Sequence, residues 1–315
     1  MAESGEDGRV TIGLPTYNRA ATLRRAIESA LGQTHAALEL VVSDNASTDA
    51  TEQIVRDYAR RDARVRYVRH AVNRGPTANF NFLFEACRGD FVMMLADDDW
   101  LDADYVAVCL AALRQRPDHA IVGGLHRWMD EGRPAGDGVA MILEHDDPGR
   151  RVVDYYRQVD DNGSFYGLMR GDALRAAGPM RNDLGNDWFH VAAIAFQGKV
   201  HTLAQVRVNR AIAGTSHSID DILSTFGVHS STRARLGFLF MAGHAFSEIA
   251  WRSPAFSVLS RPSRLALALR AAPRVIRWRI LAWHLVRPTL LGLRRRRRAR
   301  RLIDRLVRRA GGTIR

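Results

Sequence analysis

Three consecutive aspartates, Asp97, Asp98 and Asp99, end an apolar run in "FVMMLADDDWLD", residues 91–102. Like charges side by side repel, and a carboxylate at the end of a buried strand loses hydration. A hard divalent cation offsets both costs. Mg2+ and Mn2+ take clustered carboxylate oxygens and often bring a phosphorylated ligand with them. In an extended strand residues two apart share a face, so Asp97 and Asp99 are expected to point together, with Asp98 opposite, unless a turn relaxes this. A plainer reading is a helix start, where carboxylates favour the positive end of the macrodipole. That accounts for one aspartate more readily than for three.

Three other polar stretches follow apolar strands: "PTYNR" (15–19), "SDNASTD" (43–49) and "NRGPT" (73–77). Asp44 ends its strand, where a carboxylate can accept hydrogen bonds from a base or ribose; an Asx turn leading into a helix is the alternative. The glycine fingerprint of dinucleotide enzymes is missing after the first strand, which argues against a nicotinamide or flavin cofactor. Farther on, Asp187 opens a helix in "LGNDWFHVAAIA". On its own it reads as an ordinary helix N-terminal carboxylate.

In this order and spacing, the four stretches resemble the inverting nucleotide-diphospho-sugar glycosyltransferases of family 2, which have the GT-A fold. The resemblance covers residues 9–125 well and 160–217 loosely. It implies a donor site drawn from Pro15, Thr16, Tyr17, Asn18 and Arg19 of the first motif, and from Asp44 and Asn45 of the second, with Asp44 on the base. Asn73, Gly75 and Asn79 come from the Asn-x-Gly loop, and Asp97 and Asp98 from the Asp-x-Asp region. It implies Mg2+ or Mn2+ on Asp97, Asp98 and Asp99, with His217 of "RAIAGTSHS" as a weaker ligand. Ala96 stands where the family often has a carboxylate, which leaves the direct ligand among the three open. Asp187 takes the place of the catalytic base that must reach an acceptor hydroxyl, with Asn186 where a glutamate is usual and Asp183 as its nearest competitor. Asn186 and Trp188 are candidates for acceptor binding, although a tryptophan there also suits a core. The implied activity is transfer of a sugar from a nucleotide-diphospho-sugar, a UDP-sugar by family frequency, to an acceptor hydroxyl of a glycan or lipid-linked acceptor. A non-catalytic nucleotide-sugar-binding protein recruited to a membrane is the alternative.

The elements that must position these residues alternate. Strands over "RVTIGLPTY", "LELVVSD", "RVRYVRH" and "DFVMMLAD" are separated by helices over "NRAATLRRAIESALGQ", "STDATEQIVRDYARR" and "PTANFNFLFEACRG", and another helix follows over "DADYVAVCLAALRQRP". The second helix is expected to be capped by Ser47, Thr48 or Asp49. Continuously apolar strands indicate a mostly parallel α/β sheet covered on both faces, which binds ligands beyond its carboxyl ends. Beyond residue 125 "MDEGRPAGDG" reads as a loop, "GSFYGLMRG" as strand or turn, "DALRAAG" and "NDWFHVAAIAFQG" as helices, and "KVHTLAQVRVNRAI" as a strand pair. The expected organisation is a GT-A domain over 1–218, with a nucleotide-sugar part over 9–125 and an acceptor part over 126–218. A helical C-terminal region over 219–315 ends in a basic tail.

Composition supports a globular chain of 315 residues, 46% hydrophobic and 25% charged. Cys87 and Cys109 read as buried free thiols, and "MAESGEDGRV" lacks an apolar signal segment, so a cytoplasmic location is expected. Residues 261–315 hold 18 arginines and one acid, Asp304, whereas the rest is mildly acidic. Leu302, Ile303, Leu306 and Val307 lie among these arginines, and Trp278 and Trp283 lie upstream. An arginine-rich amphipathic helix suits an anionic membrane surface, which implies a peripheral position on the inner face of the cell membrane. A merely solvated or protein-binding tail is the alternative, and nucleic acid is the less favoured partner.

Overall fold

The computed structural model describes residues 8–130, 132–160, 162–212 and 237–276. Strands β1 (Val10–Thr16), β2 (Leu38–Asp44), β3 (Val65–Arg69) and β4 (Phe91–Met94) alternate with helices α1 (Leu23–Leu31), α2 (Thr51–Arg61) and α3 (Pro76–Ala86). Then come β5 (Trp100–Leu101), α4 (Tyr105–Gln115), β6 (His119–Asp130), β7 (Arg133–Asp137), β8 (Ile142–Leu143) and α5 (Pro148–Gln158). A 3-10 turn at Gly163–Tyr166 leads to β9 (Leu168–Arg170), α6 (Gly171–Ala177), α7 (Asn186–Gln197) and β10 (Lys199–Ala211). The described C-terminal part holds α8 (Gly237–Ser247), a π turn at Glu248–Arg252 and α9 (Arg261–Ala271).

The sheet runs β3-β2-β1-β4-β9-β6-β10-β5, with β7 on β6 and β8 on β10. β1, β2, β3 and β4 are mutually parallel, β6 and β10 are parallel, and β9 runs antiparallel to both β4 and β6. The long strands therefore all point one way, and their carboxyl ends form one edge. Side chains alternate across the sheet as a strand requires. Leu40, Val42 and Met93 pack with α1, α2 and α4, whereas Val41, Val92 and Met94 pack with α3, α5, α6 and α7. Helices α8 and α9 share this second core through Met241, Ala245, Leu267 and Ala268. The 218/219 boundary and the arginine-rich part of the tail lie outside the described residues.

The mostly parallel α/β expectation is met, and both cysteines are buried and free. Burial pushes the Cys87 thiol up to about 12. Three local readings need correction. "MDEGRPAGDG" is not a plain loop: β6 runs on to Asp130 and pairs with β7. "KVHTLAQVRVNRAI" is one strand, not two, with its register against β6 shifted between Leu203 and Arg207. Helix α2 begins at Thr51 after Ala50, which offers no side-chain cap; Asp49 accepts instead from the Thr51 and Ala20 backbone N–H groups.

Candidate functional site

Strand register brings the first three motifs together. Thr16 pairs with Asp44 across β1 and β2, and Gly13 with Met94 across β1 and β4, so Asp97–Asp99 emerge beside Thr16–Arg19. Behind them β5 pairs with β10, and Asp102 accepts from Arg207 N–H and from the Asn209 amide. The aspartate segment is thus held at both ends. Between those ends it turns, with Asp99 N–H donating to Ala96 O at 3.3 Å. That turn separates the two aspartates expected on one face. Asp97 faces Arg19, Nε to Oδ1 3.6 Å. Asp99 faces Arg210, Nε to Oδ2 3.4 Å, and accepts from Ala211 N–H at 3.3 Å. Asp98 is anchored through its backbone O, which accepts from Arg25 at 2.9 Å. Among the described residues no hydrogen bond or ion pair holds its carboxylate.

Burial raises the Asp97 carboxyl to about 7, helped by the adjacent Asp98 and opposed by Thr16 and Arg19. Burial likewise raises Asp99 to about 7 against the pull of Arg210. Asp99 Oδ2 is buried and accepts no hydrogen bond among the described residues. An all-oxygen donor set suits a hard divalent cation by type, although Asp97 and Asp99 each face an arginine and the turn keeps the three carboxylates from converging on one point.

The loops after β1, β2 and β3 are stitched to one another. Asn18 adopts the left-handed conformation, donates its N–H to Ser47 Oγ at 2.9 Å and accepts from Thr48 N–H at 2.8 Å. Pro15 and Thr16 end β1, and Tyr17 is 43% exposed on the loop beyond it. Asn45 donates to Asn73 Oδ1 at 2.7 Å and to Gly75 O at 3.2 Å, and accepts from Arg74 N–H. Gly75, at φ 80°, caps α3. Two of the expected donor residues face inward. Asp44 is fully buried, its oxygens taken by Ser47 N–H at 2.8 Å and the Tyr67 hydroxyl at 2.7 Å. Asn79 lies 3% exposed beneath β2 and uses both ends of its amide on Ser43.

Asp187 sits in the first turn of α7, which follows Gly185 at φ 84°. Burial raises its carboxyl above the ordinary range, partly opposed by a hydrogen bond from Asn162. Asn162 Nδ2 donates to Asp187 Oδ2 at 2.9 Å, and its Oδ1 accepts from the Tyr155 hydroxyl at 2.6 Å. Asn186 bridges to Thr77 at the start of α3 and accepts from Asp187 N–H. Trp188 packs half-buried against the core. Asp183 instead pairs with Arg252 at 3.1 Å and His244 at 3.3 Å. His217 lies outside the described residues.

Four residues that the sequence reading did not single out complete the crevice. Arg210 on β10 pairs with Asp99 and lies over the Trp128 and Tyr166 rings at 4.8 and 5.1 Å. It also lies within electrostatic reach of Asp187. His126 on β6 donates Nε2–H to Gly163 O at 3.1 Å, so its Nδ1 accepts from Arg210 at 3.2 Å. Burial, then Arg210, lowers His126 to about 3, which keeps that acceptor neutral. Tyr166 is raised by burial, and it feels Asp98, Asp99 and Asp187 together with Arg210. One buried neighbourhood therefore joins the aspartate turn to the α7 carboxylate, with Asn162 holding the latter.

The family model for glycosyl transferase family 2 matches residues 11–176, more than half of the chain. The chain belongs to that family. Among curated proteins this family 2 chain is 26% identical over 212 residues to the putative glycosyltransferase EpsH of Bacillus subtilis, covering 64% of this chain and 58% of that one. It is 42% identical over 95 residues to the succinoglycan biosynthesis protein ExoO of Rhizobium meliloti, covering 30% and 27%. A third relative is the GalNAc(5)-diNAcBac-PP-undecaprenol beta-1,3-glucosyltransferase of Campylobacter jejuni, 35% identical over 94 residues and 30% of each chain. The chain thus spans less than two thirds of these relatives' own lengths. Its fold is GT-A. It superposes on S. aureus TarS 1-349 with a TM-score of 0.55 at 14% identity, over 88% of this chain and 91% of that one. Against the mannosyltransferase PcManGT of Pyrobaculum calidifontis, solved with GDP-Man and Mn2+, the TM-score is 0.53 at 19% identity, over 86% and 87%.

Proposed function

We propose that this protein transfers a sugar from a nucleotide-diphospho-sugar to an acceptor hydroxyl, with inversion at the anomeric carbon. The observation that carries this reading is that two separate sets of carboxylates, both raised by burial, face one crevice. An aspartate turn follows β4, and a part-buried carboxyl raised above the ordinary range stands at the start of α7. TarS has been solved with UDP and with UDP-GlcNAc, and PcManGT with GDP-Man, which supports a nucleotide-sugar in this crevice. A UDP-sugar is the first choice.

In this reading Tyr17 offers an exposed ring to the base, and the loop locked by Asn45, Asn73 and Gly75 flanks the donor. Asp44 acts through the loop it holds together, since its own oxygens are engaged. Asp98, whose carboxylate is uncommitted among the described residues, would hold Mg2+ or Mn2+ with Asp97 or Asp99. A bound cation supplies positive charge against the diphosphate that departs. Asp187, held by Asn162, takes the proton from the acceptor hydroxyl as its oxygen attacks. A carboxylate raised toward neutrality accepts a proton more readily than an ordinary aspartate. Trp188 and Asn186 stand beside it on the acceptor side.

The acceptor is a glycan or a lipid-linked saccharide. Relatives named for succinoglycan biosynthesis and for an undecaprenol-linked acceptor support that class. The 18 arginines of residues 261–315 then bring the enzyme to an anionic membrane surface on the cytoplasmic side. Asp187→Asn tests the assignment. We expect transfer to fall roughly 10²–10⁴-fold while UDP-sugar affinity stays within about twofold. Undiminished turnover would remove Asp187 from the role.

A further inference from the structure

A second group of metal-ligating side chains stands at the opposite edge of the sheet. His119 is the first residue of β6, His201 lies near the start of β10, and Glu144 follows β8. Ligand atoms of all three fall within 4.8 Å of one another. His119 lies seven residues before His126, which faces the crevice, or roughly 20 Å along an extended strand.

His119 Nδ1 lies 2.8 Å from Asp118 Oδ1, while its Nε2 lies 3.1 Å from Glu144 Oε1. Lys199 also lies 2.7 Å from Asp118. With the Nδ1–H donated to Asp118, the Nε2 lone pair is directed at Glu144 and open to a metal. The same Oε1 also meets His201 Nδ1 at 2.7 Å. Two nitrogens converging on one carboxylate, with one ring oriented from behind by a second carboxylate, is how metal-bound histidines are supported.

We propose that His119, His201 and Glu144 bind one Zn2+ ion at a site separate from the crevice and independent of the proposed transfer reaction. Two imidazoles and one carboxylate are a zinc donor set, and the fourth position falls to water. The site has a mechanical role. Strand β8 has only two residues, pairs with β10 at Val200 and His201, and exposes 48% of Ile142. Zinc on Glu144 pins this short strand, and the segment leading into α5, to the starts of β6 and β10.

The full chain, stripped with a chelator and passed through a desalting column, should take up Zn2+ to one equivalent by elemental analysis. Its Tm should rise by roughly 5 °C or more at a hundredfold excess over Kd. Co2+ in the same site should give the intense visible absorption of a tetrahedral ion. Glu144→Gln and His201→Gln should each lose that equivalent. Asp118→Asn should weaken binding about 10–100-fold, and Asp98→Asn should leave it unchanged. Circular dichroism of each variant checks that it folds. No stoichiometric zinc in the stripped and reloaded wild type would overturn the proposal. So would zinc that survives Glu144→Gln and His201→Gln, or zinc that disappears in Asp98→Asn.

Discussion

Asn162 holds Asp187 from behind: its Nδ2 donates to Asp187 Oδ2 at 2.9 Å, while the Tyr155 hydroxyl at 2.6 Å fixes which way the amide faces. The bond favours the ionised carboxylate, against burial, which favours the protonated one. Removing it should raise the Asp187 pKa further. A hydrogen bond to a charged group contributes about 1.5–3 kcal/mol, equivalent to roughly one to two pH units. Asn162→Ala should therefore move the acidic limb of the kcat/KM profile upward by about that much, with the high-pH plateau less affected. A uniform loss of rate at every pH would mark Asn162 as merely structural.

Asp97 and Asp99 make stability and cation binding depend on pH in opposite senses. Each is raised from 3.8 to about 7 by burial. Between those values the folded chain holds protons that the unfolded chain has released. The stability these groups contribute is present below the ordinary carboxylate value and is lost as pH rises through about 7. A divalent cation needs the ionised forms and displaces those protons. Titration with Mn2+ at pH 6 and pH 8 should show tighter binding and a larger rise in Tm at pH 8. Equal affinity at both values would mean that neither carboxyl exchanges a proton for the ion.

Gly185 is needed for two independent reasons. Its φ of 84° is left-handed, and a Cβ there would lie 2.5 Å from Met241 Cε of α8. Gly185→Ala should cost roughly 1–3 kcal/mol from backbone strain, with the methionine end shifting aside. Because Gly185 precedes the helix start that carries Asp187, kcat should fall as well, whereas KM for the donor changes little. A chemical denaturation midpoint equal to wild type would show that the turn tolerates a side chain.

The first half of the chain was legible because β1, β2 and β4 are largely apolar runs that end in polar motifs, β3 alternates with period two, and chain order matches the order of strand and helix. "PTYNR", "DNASTD" and "ADDDW" could be placed at one edge before any coordinates. What each residue does at that edge was less legible. Asp44 and Asn79 have the right type and position, yet Ser47, Tyr67 and Ser43 claim their polar atoms from inside the fold. The second half was obscured by long-range pairing. Strand β10 bulges against β6 between Leu203 and Arg207, which breaks its period and reads as two strands. Arg210 and Asn162 are polar residues without a local motif, and only the return of β10 to β6 and the left-handed turn at Asn162 bring them to the crevice.

Arg210 is the residue we expect to matter most among those the sequence hid. It neutralises Asp99, which is 3% exposed, and His126 fixes its orientation by accepting from it at 3.2 Å. Breaking a buried pair by removing one partner leaves an uncompensated charge, at a cost of about 3–5 kcal/mol. Asp99 escapes part of that cost at low pH by remaining protonated. Arg210→Met should therefore destabilise the apo protein more at pH 8 than at pH 5.5, and the Asp99 pKa, read by carboxyl NMR, should move above 7. The cation-bound protein should recover part of the loss, because added positive charge replaces the guanidinium. If Arg210→Met lowers Tm equally at both pH values, its role is packing against Trp128 and Tyr166 and not the charge of Asp99.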